Sequence, residues 1–239
     1  MANLVLSAPS FTIHYKDTFL VIDREGWIHE GQTRLFSADT RYLSTYHLTL
    51  NGFEPQFLGA DRPHYFAATF SYTNPAIGVK PWTIAANSLL LTVSRFVRDG
   101  VHEDIDLTNY AGRPINLSLV LGVGVDFADI FQVRGLAPVI PRLAQSHWDR
   151  ATKSLNLHYR KKGFVRTLHL RFVEWTSRPT HGVGKIFFDA TLQPGETWHT
   201  CVEAYFEDHP AFNHAEAHAI EPVVEELEHW LVARPGSEG

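Results

Sequence analysis

The chain has little cysteine, little methionine and no long apolar run. A single Cys in 239 residues rules out an internal disulfide, and Cys201 within an alternating pattern fits a reducing cytoplasm. No stretch approaches the roughly 20 apolar residues that span a bilayer. The opening residues Met1 to Pro9 carry no basic segment, and their apolar run is too short for a secretory signal. Positive charge is also scarce: 21 Lys and Arg face 26 Asp and Glu, for a net charge of −5. The one basic tract is Arg160-Lys161-Lys162, so neither nucleic acid nor an anionic membrane is expected as a partner. There is no Gly-rich phosphate loop, no Gly-x-Ser-x-Gly elbow and no Cys/His nucleophile arrangement. The reading is a cytoplasmic protein without metal or cofactor.

Hydrophobic content of 44% and aromatic content of 13% indicate an ordinary globular core. Period-two patterning runs from the start to about Phe206. Ile115, Leu117, Leu119, Leu121, Val123, Val125 and Phe127 occupy every second position, opposite a small and polar face. Gly122 and Gly124 on that face mark either sheet curvature or the close approach of a neighbour. Asn51-Gly52 and Asp99-Gly100 read as hairpin turns. A dozen strands or more over some 200 residues imply an antiparallel two-sheet sandwich. From Asn213 the period becomes helical, with Ile220, Val223, Val224, Leu227, Trp230 and Leu231 on one stripe. The expected division is a β domain over 1–207 and a helical segment over 208–239. That stripe needs an apolar partner, either the sandwich or a second copy of the chain.

Two phrases place charge among aromatics at strand ends: Leu35 to Leu43, with Asp39, Arg41 and Tyr42, and Asp126 to Gly135, with Asp129 and Arg134. An uncompensated buried charge costs several kcal/mol, so a cluster of Arg forks and carboxylates is expected there. The cluster is either structural or part of a glycan-binding or interdomain surface. Trp82, in a loop-like stretch, caps the core or offers a sugar platform. His214 and His218 share a helix face, but the intervening Ala215-Glu216-Ala217 lacks the metalloprotease pattern. Glu103, Asp104 and Asp106 split between the two faces of one strand, and no glycosidase carboxylate pair is evident, so no catalytic residue is assigned.

In order along the chain, several phrases resemble the N-terminal domain of bacterial and archaeal glycogen debranching enzymes of the amylo-α-1,6-glucosidase type. They are Asp17 to Gly26, Leu35-Phe36 through Asp39-Thr40-Arg41-Tyr42-Leu43 to Asn51-Gly52, Thr73-Asn74-Pro75, Arg95-Phe96, Leu107-Thr108-Asn109-Tyr110, and Asp126 to Phe131. The resemblance spans about residues 12–206. It implies an all-β, mutarotase-like β-supersandwich followed by a C-terminal α-helix that leads toward a catalytic (α/α)6 domain, in cis or in trans. It also implies a non-catalytic role, scaffolding that domain and contacting α-glucan. A free-standing carbohydrate-binding module and a mutarotase-like sugar epimerase are the alternative readings.

Overall fold

Strict alternation of apolar with small polar residues makes Ile115–Val125 a strand buried along one face, and the same logic builds the rest of the molecule. The computed structural model describes residues 10–29, 33–79, 83–133, 136, 142, 144–161 and 163–207. Among these, the strands in chain order are β1 (Ser10–Tyr15), β2 (Thr18–Asp23), β3 (Arg34–Ser37), β4 (Thr40–Leu50) and β5 (Gln56–His64). They continue with β6 (Ala67–Thr73), β7 (Leu89–Val97), β8 (Gly100–Asn109), β9 (Ile115–Val125) and β10 (Gln145–Asp149). The last are β11 (Ser154–Lys161), β12 (Phe164–Trp175), β13 (Thr180–Gly182), β14 (Lys185–Leu192) and β15 (Thr197–Phe206). Among the described residues a single short helix, α1 (Ile130–Val133), follows β9.

The strands form two antiparallel sheets, a seven-stranded one in the order β1-β2-β3-β4-β9-β14-β13 and an eight-stranded one in the order β10-β11-β12-β15-β8-β7-β6-β5. Their inner faces share one apolar core. Contacts across the sandwich include Phe188 of β14 edge-on to Trp198 of β15 at 5.1 Å and Phe11 of β1 edge-on to Phe70 of β6 at 5.9 Å. Such offset and edge-to-face pairs add to the area they bury. No helix among the described residues is long and apolar enough to cross a membrane.

Two sequence signals resolve differently from their simplest reading. Asn51-Gly52 does form a tight turn, with φ of 49° and 82°, and closes a bridge between Leu50 and Phe53. It does not make a hairpin, because β4 and β5 belong to different sheets. The Asn51 side chain accepts from the Ser118 amide at 2.7 Å, and its own amide donates to the Ser118 carbonyl. The turn is thereby tied to β9 while the chain crosses the sandwich. Gly122 is a close approach: a Cβ there would lie 2.8 Å from the ring of His47 on β4. Asp99-Gly100, by contrast, is a true hairpin joining β7 to β8. The expected C-terminal helix and the segment 208–239 lie outside the described residues.

Two buried asparagines hold the loops between strands. The Asn74 carboxamide accepts from the amides of Ser88 and Leu89 and donates to the carbonyls of Pro75 and Ala85. Asn109 donates to the carbonyls of Arg113 and Leu192 and accepts from the Ala111 amide. A carboxamide can serve backbone donors and acceptors at once, which explains why Asn stands at both positions.

Candidate functional site

The β3–β4 turn carries Ala38 in the left-handed region, with φ of 51°. It leaves Asp39 at the surface and sends Arg41 into β4. The Arg41 amide donates to the Ala128 carbonyl at 2.8 Å. Its guanidinium forks onto Asp126, with Nε 3.0 Å from Oδ1 and a second nitrogen on Oδ2. Asp126 reaches back because the chain reverses just after β9, where Phe127 has φ of 48°. The reversal buries the Phe127 ring edge-on to Tyr42, 5.7 Å between centroids. The bidentate geometry fixes orientation as well as charge.

Asp129 opens α1. Its Oδ1 accepts from the Gln132 amide at 2.9 Å, and Gln132 Oε1 accepts from the Asp129 amide at 3.1 Å. This reciprocal exchange is the logic of a capping box with Asp and Gln in the two roles. Arg142 donates to Gln132 Oε1 at 2.9 Å, to Asp129 Oδ2 at 3.3 Å and to the Phe127 carbonyl. Its guanidinium lies over the rings of Phe164 and Tyr159. Arg166 of β12 donates to Thr40 Oγ1 at 3.0 Å and to Asp39 Oδ1 at 3.5 Å.

The structure therefore pairs Arg41 with Asp126, while Asp129 pairs with Arg142 and Asp39 with Arg166. Arg142 and Arg166 escaped the sequence reading because they stand outside the two phrases and reach them only through the fold. Tyr42, expected in the polar cluster or on a glycan or interdomain surface, is instead buried, its ring 4.2 Å from that of Phe206. Thr40 to Leu43 are all buried, because both faces of β4 are covered at this end, where its ladder to β9 slips between Leu43 and Thr45. Arg134 and Trp82 lie outside the described residues. Beside the cluster stand two exposed apolar side chains, Phe131 and Leu136, held together by a 2.8 Å bond from the Leu136 amide to the Phe131 carbonyl.

A second polar region covers the outer face of the eight-stranded sheet. Side chains of β10, β11 and β12 with Glu207 line an open groove of about 680 Å³. Within it His169 stacks on Tyr205 at 4.7 Å, and its Nδ1 lies 2.6 Å from Asn156 Oδ1. His158 Nε2 meets Gln145 Oε1 at 2.9 Å, and Thr167 donates to Glu207 at 2.7 Å. Burial lowers the pKa of His169, and Glu207 offsets part of the effect. Imidazoles, amides and a carboxylate offer both donors and acceptors, the inventory suited to hydroxyl groups.

Between the sheets lies a third group. Arg95 and Glu103, both almost fully buried, form an ion pair, and Tyr46 donates to Glu103 Oε1 at 2.5 Å. The guanidinium sits 5.4 Å from the Trp27 ring and also donates to the Gly26 carbonyl. Burial and the Glu103 charge push the Tyr46 phenol well up, so it remains a donor. This network is internal, and the adjoining cavity of about 20 Å³ holds no more than a water.

Comparison with known proteins places residues 13–203 in the family described as the N-terminal domain of some glycogen debranching enzymes. The chain belongs to that family. The matched span contains the strand-end cluster, the internal Arg95–Glu103 pair and all of the groove except Glu207. Among solved structures, a galactose mutarotase-like protein from Lactobacillus casei aligns over 83% of this chain and all of its own, at 10% identity and a TM-score of 0.44. A polysaccharide lyase aligns over 86% of this chain and 34% of its own, at 13% identity and a TM-score of 0.40. A galactose mutarotase-like protein from Clostridium acetobutylicum aligns over 66% and 67%, at 8% identity and a TM-score of 0.34. No curated protein matches the chain.

Proposed function

We propose that this chain is the non-catalytic N-terminal domain of a debranching-type α-1,6-glucosidase, and that it scaffolds a catalytic (α/α)6 domain through its strand-end cluster. The observation that carries this reading is the family match over residues 13–203. The cluster supports it. Three Arg–carboxylate pairs brace the turn before β4 and the segment after β9, and that braced platform presents Phe131 and Leu136 to solvent. Large apolar side chains held on a rigid base with a charged rim have the composition of a docking surface. The apolar residues that the sequence spaces at helical intervals over 220–231 are the proposed connection toward the catalytic domain.

A non-catalytic role agrees with how the carboxylates are used. Glu103, Asp126 and Glu203 are each engaged by an arginine, whereas glycoside hydrolysis needs two carboxyl groups facing one sugar, about 5–9.5 Å apart. The lone buried thiol of Cys201 suits the reducing cytoplasm in which such an enzyme would act.

A second role, contact with α-glucan, is favoured by the groove around His158 and His169, whose amides and imidazoles match sugar hydroxyls. The deciding experiment supplies the full chain to a catalytic domain that lacks its own N-terminal partner. Glucose release from limit dextrin should rise on mixing and be absent for the chain alone. Glucose release by the chain alone would overturn the non-catalytic reading.

A further inference from the structure

On the outer face of the eight-stranded sheet, β8 and β15 bring together residues that the scaffold role does not use. His102 and Asp104 are two apart on β8 and share a face, and Cys201 of β15 stands directly opposite Asp104 in the ladder. Two pairs further along, and so on the same face, His199 stands opposite Asp106. His102 Nε2 lies 3.3 Å from Asp104 Oδ2, and Cys201 Sγ lies 3.7 Å from the His102 ring nitrogens. The three donor atoms all fall within 4.8 Å of one another. A tetrahedral zinc ion with bonds of about 2.0 Å to N and O and about 2.3 Å to S holds such donors about 3.3–3.5 Å apart. We propose that His102, Asp104 and Cys201 form a site for a zinc-class divalent cation, with His199 as the fourth ligand.

The surroundings favour a cation. His199 Nδ1 is 2.9 Å from Asp106 Oδ1, and its Nε2 faces Asp104 Oδ1 at 4.0 Å and Glu174 Oε2 at 4.0 Å. A carboxylate on one ring nitrogen fixes the tautomer and leaves the other nitrogen as the ligand, the usual outer support of a metal-bound imidazole. Glu203, two residues beyond Cys201 on the same face, is fully buried, and its Oε1 accepts no hydrogen bond among the described residues. Negative charge therefore accumulates around the site, with Arg171 on Glu203 as a compensating guanidinium. His199 and Glu174 are part-exposed and open a path for an ion, while His102 and Cys201 form a buried floor.

A nucleophilic role for the same Cys and His fails on two counts. Cys201 is fully buried, and burial together with Asp104 pushes its thiol far up, whereas a reactive cysteine is exposed and low in pKa. A bound divalent cation reverses that balance by stabilising the thiolate, releasing the thiol proton to solvent. Thiolate, imidazole and carboxylate together select zinc over magnesium or calcium.

The test uses the full chain, stripped with a chelator and titrated with Co²⁺ and Zn²⁺. The chain has one cysteine, so a thiolate-to-cobalt charge-transfer band reports Cys201 alone. One equivalent of Co²⁺ should produce that band and the visible bands of a tetrahedral ion, and Zn²⁺ should displace it. His102→Gln and Asp104→Asn should each weaken zinc binding by at least tenfold, and Asp106→Ala by roughly 10–100-fold through loss of support to His199. Absence of the band from folded wild-type protein overturns the proposal. So does a band whose strength and affinity are unchanged in both His102→Gln and Asp104→Asn. If those variants fail to fold, X-ray absorption of the zinc-loaded wild type decides: one sulfur with N/O neighbours supports the site, and a shell without sulfur overturns it.

Discussion

Arg41 and Asp126, 85 positions apart in the chain, meet through two parallel hydrogen bonds and so fasten the start of β4 to the end of β9. These strands are neighbours in the seven-stranded sheet, and the fork closes the end of their ladder where the chain leaves for α1. Asp126 Oδ1 also accepts from the Ala128 amide at 3.3 Å, so the same carboxylate shapes the turn that carries Phe127 into the core.

Replacing either partner should therefore destabilise the domain. Removing one member of a buried pair costs roughly 3–5 kcal/mol, and an exposed pair is worth only about 0–1 kcal/mol. The Asp126 side chain is 20% exposed and Arg41 10%, which argues for a loss of about 2–3 kcal/mol in Arg41→Ala or Asp126→Ala, between those limits. Urea unfolding of both single variants and the double variant checks this, with the double costing less than the sum of the singles.

The internal network should be more sensitive. Glu103→Gln leaves the Arg95 guanidinium without its counter-charge between the sheets, at a cost of roughly 3–5 kcal/mol. Tyr46→Phe removes one donor to Glu103, and hydrogen bonds to charged groups are worth about 1.5–3 kcal/mol. Chemical denaturation should rank Glu103→Gln as the more damaging of the two. An equal or reversed order would show that the phenol, not the ion pair, organises the site.

Acid should weaken the fold through half-buried imidazoles. Burial holds His47 below the ordinary value, with His29 adding to the effect, and burial does the same at His169. Each is neutral in the fold at neutral pH and takes up a proton more readily once unfolded. Their contribution is fully present above the ordinary value near 6.5 and is lost as pH falls below it, toward their folded-state values. Thermal unfolding should show a lower Tm near pH 5 than near pH 7.5, and the difference should shrink in His47→Gln.

The groove supplies a separate expectation. If it contacts α-glucan, maltoheptaose should perturb the His158 and His169 resonances in an NMR titration, and His169→Ala should weaken the response several-fold. Perturbations confined to other surfaces would remove the groove from the account.

Much of this architecture was legible in the sequence. Period-two alternation from Ile115 to Val125 and the Asp99-Gly100 turn correspond to β9 and to the β7–β8 hairpin, because sheet geometry imposes a period that residue choice must follow. Asn51-Gly52 shows the limit of local chemistry, since a tight turn fixes its own φ angles but not which sheet the next strand joins. The strand-end phrases announced a charge cluster but not its partners, because Arg142 and Arg166 arrive from distant segments. Arg95 and Glu103 stand opposite each other across the β7–β8 hairpin, eight residues apart, so its register pairs them. What no local spacing shows is that this pair faces the core between the sheets, since a charged residue on a strand reads as belonging to the solvated face. Cys201, alone in the chain, had no partner visible until β15 was laid beside β8.

The central claim is that the strand-end platform docks a catalytic domain, and direct association measures it most plainly. Isothermal titration of the cognate (α/α)6 domain into the full chain should give a saturable one-to-one complex. Replacing both Phe131 and Leu136 with Ser should weaken it by at least tenfold while circular dichroism and Tm stay at wild-type values. No association with the wild-type chain, or association unchanged by the double replacement, would contradict the account.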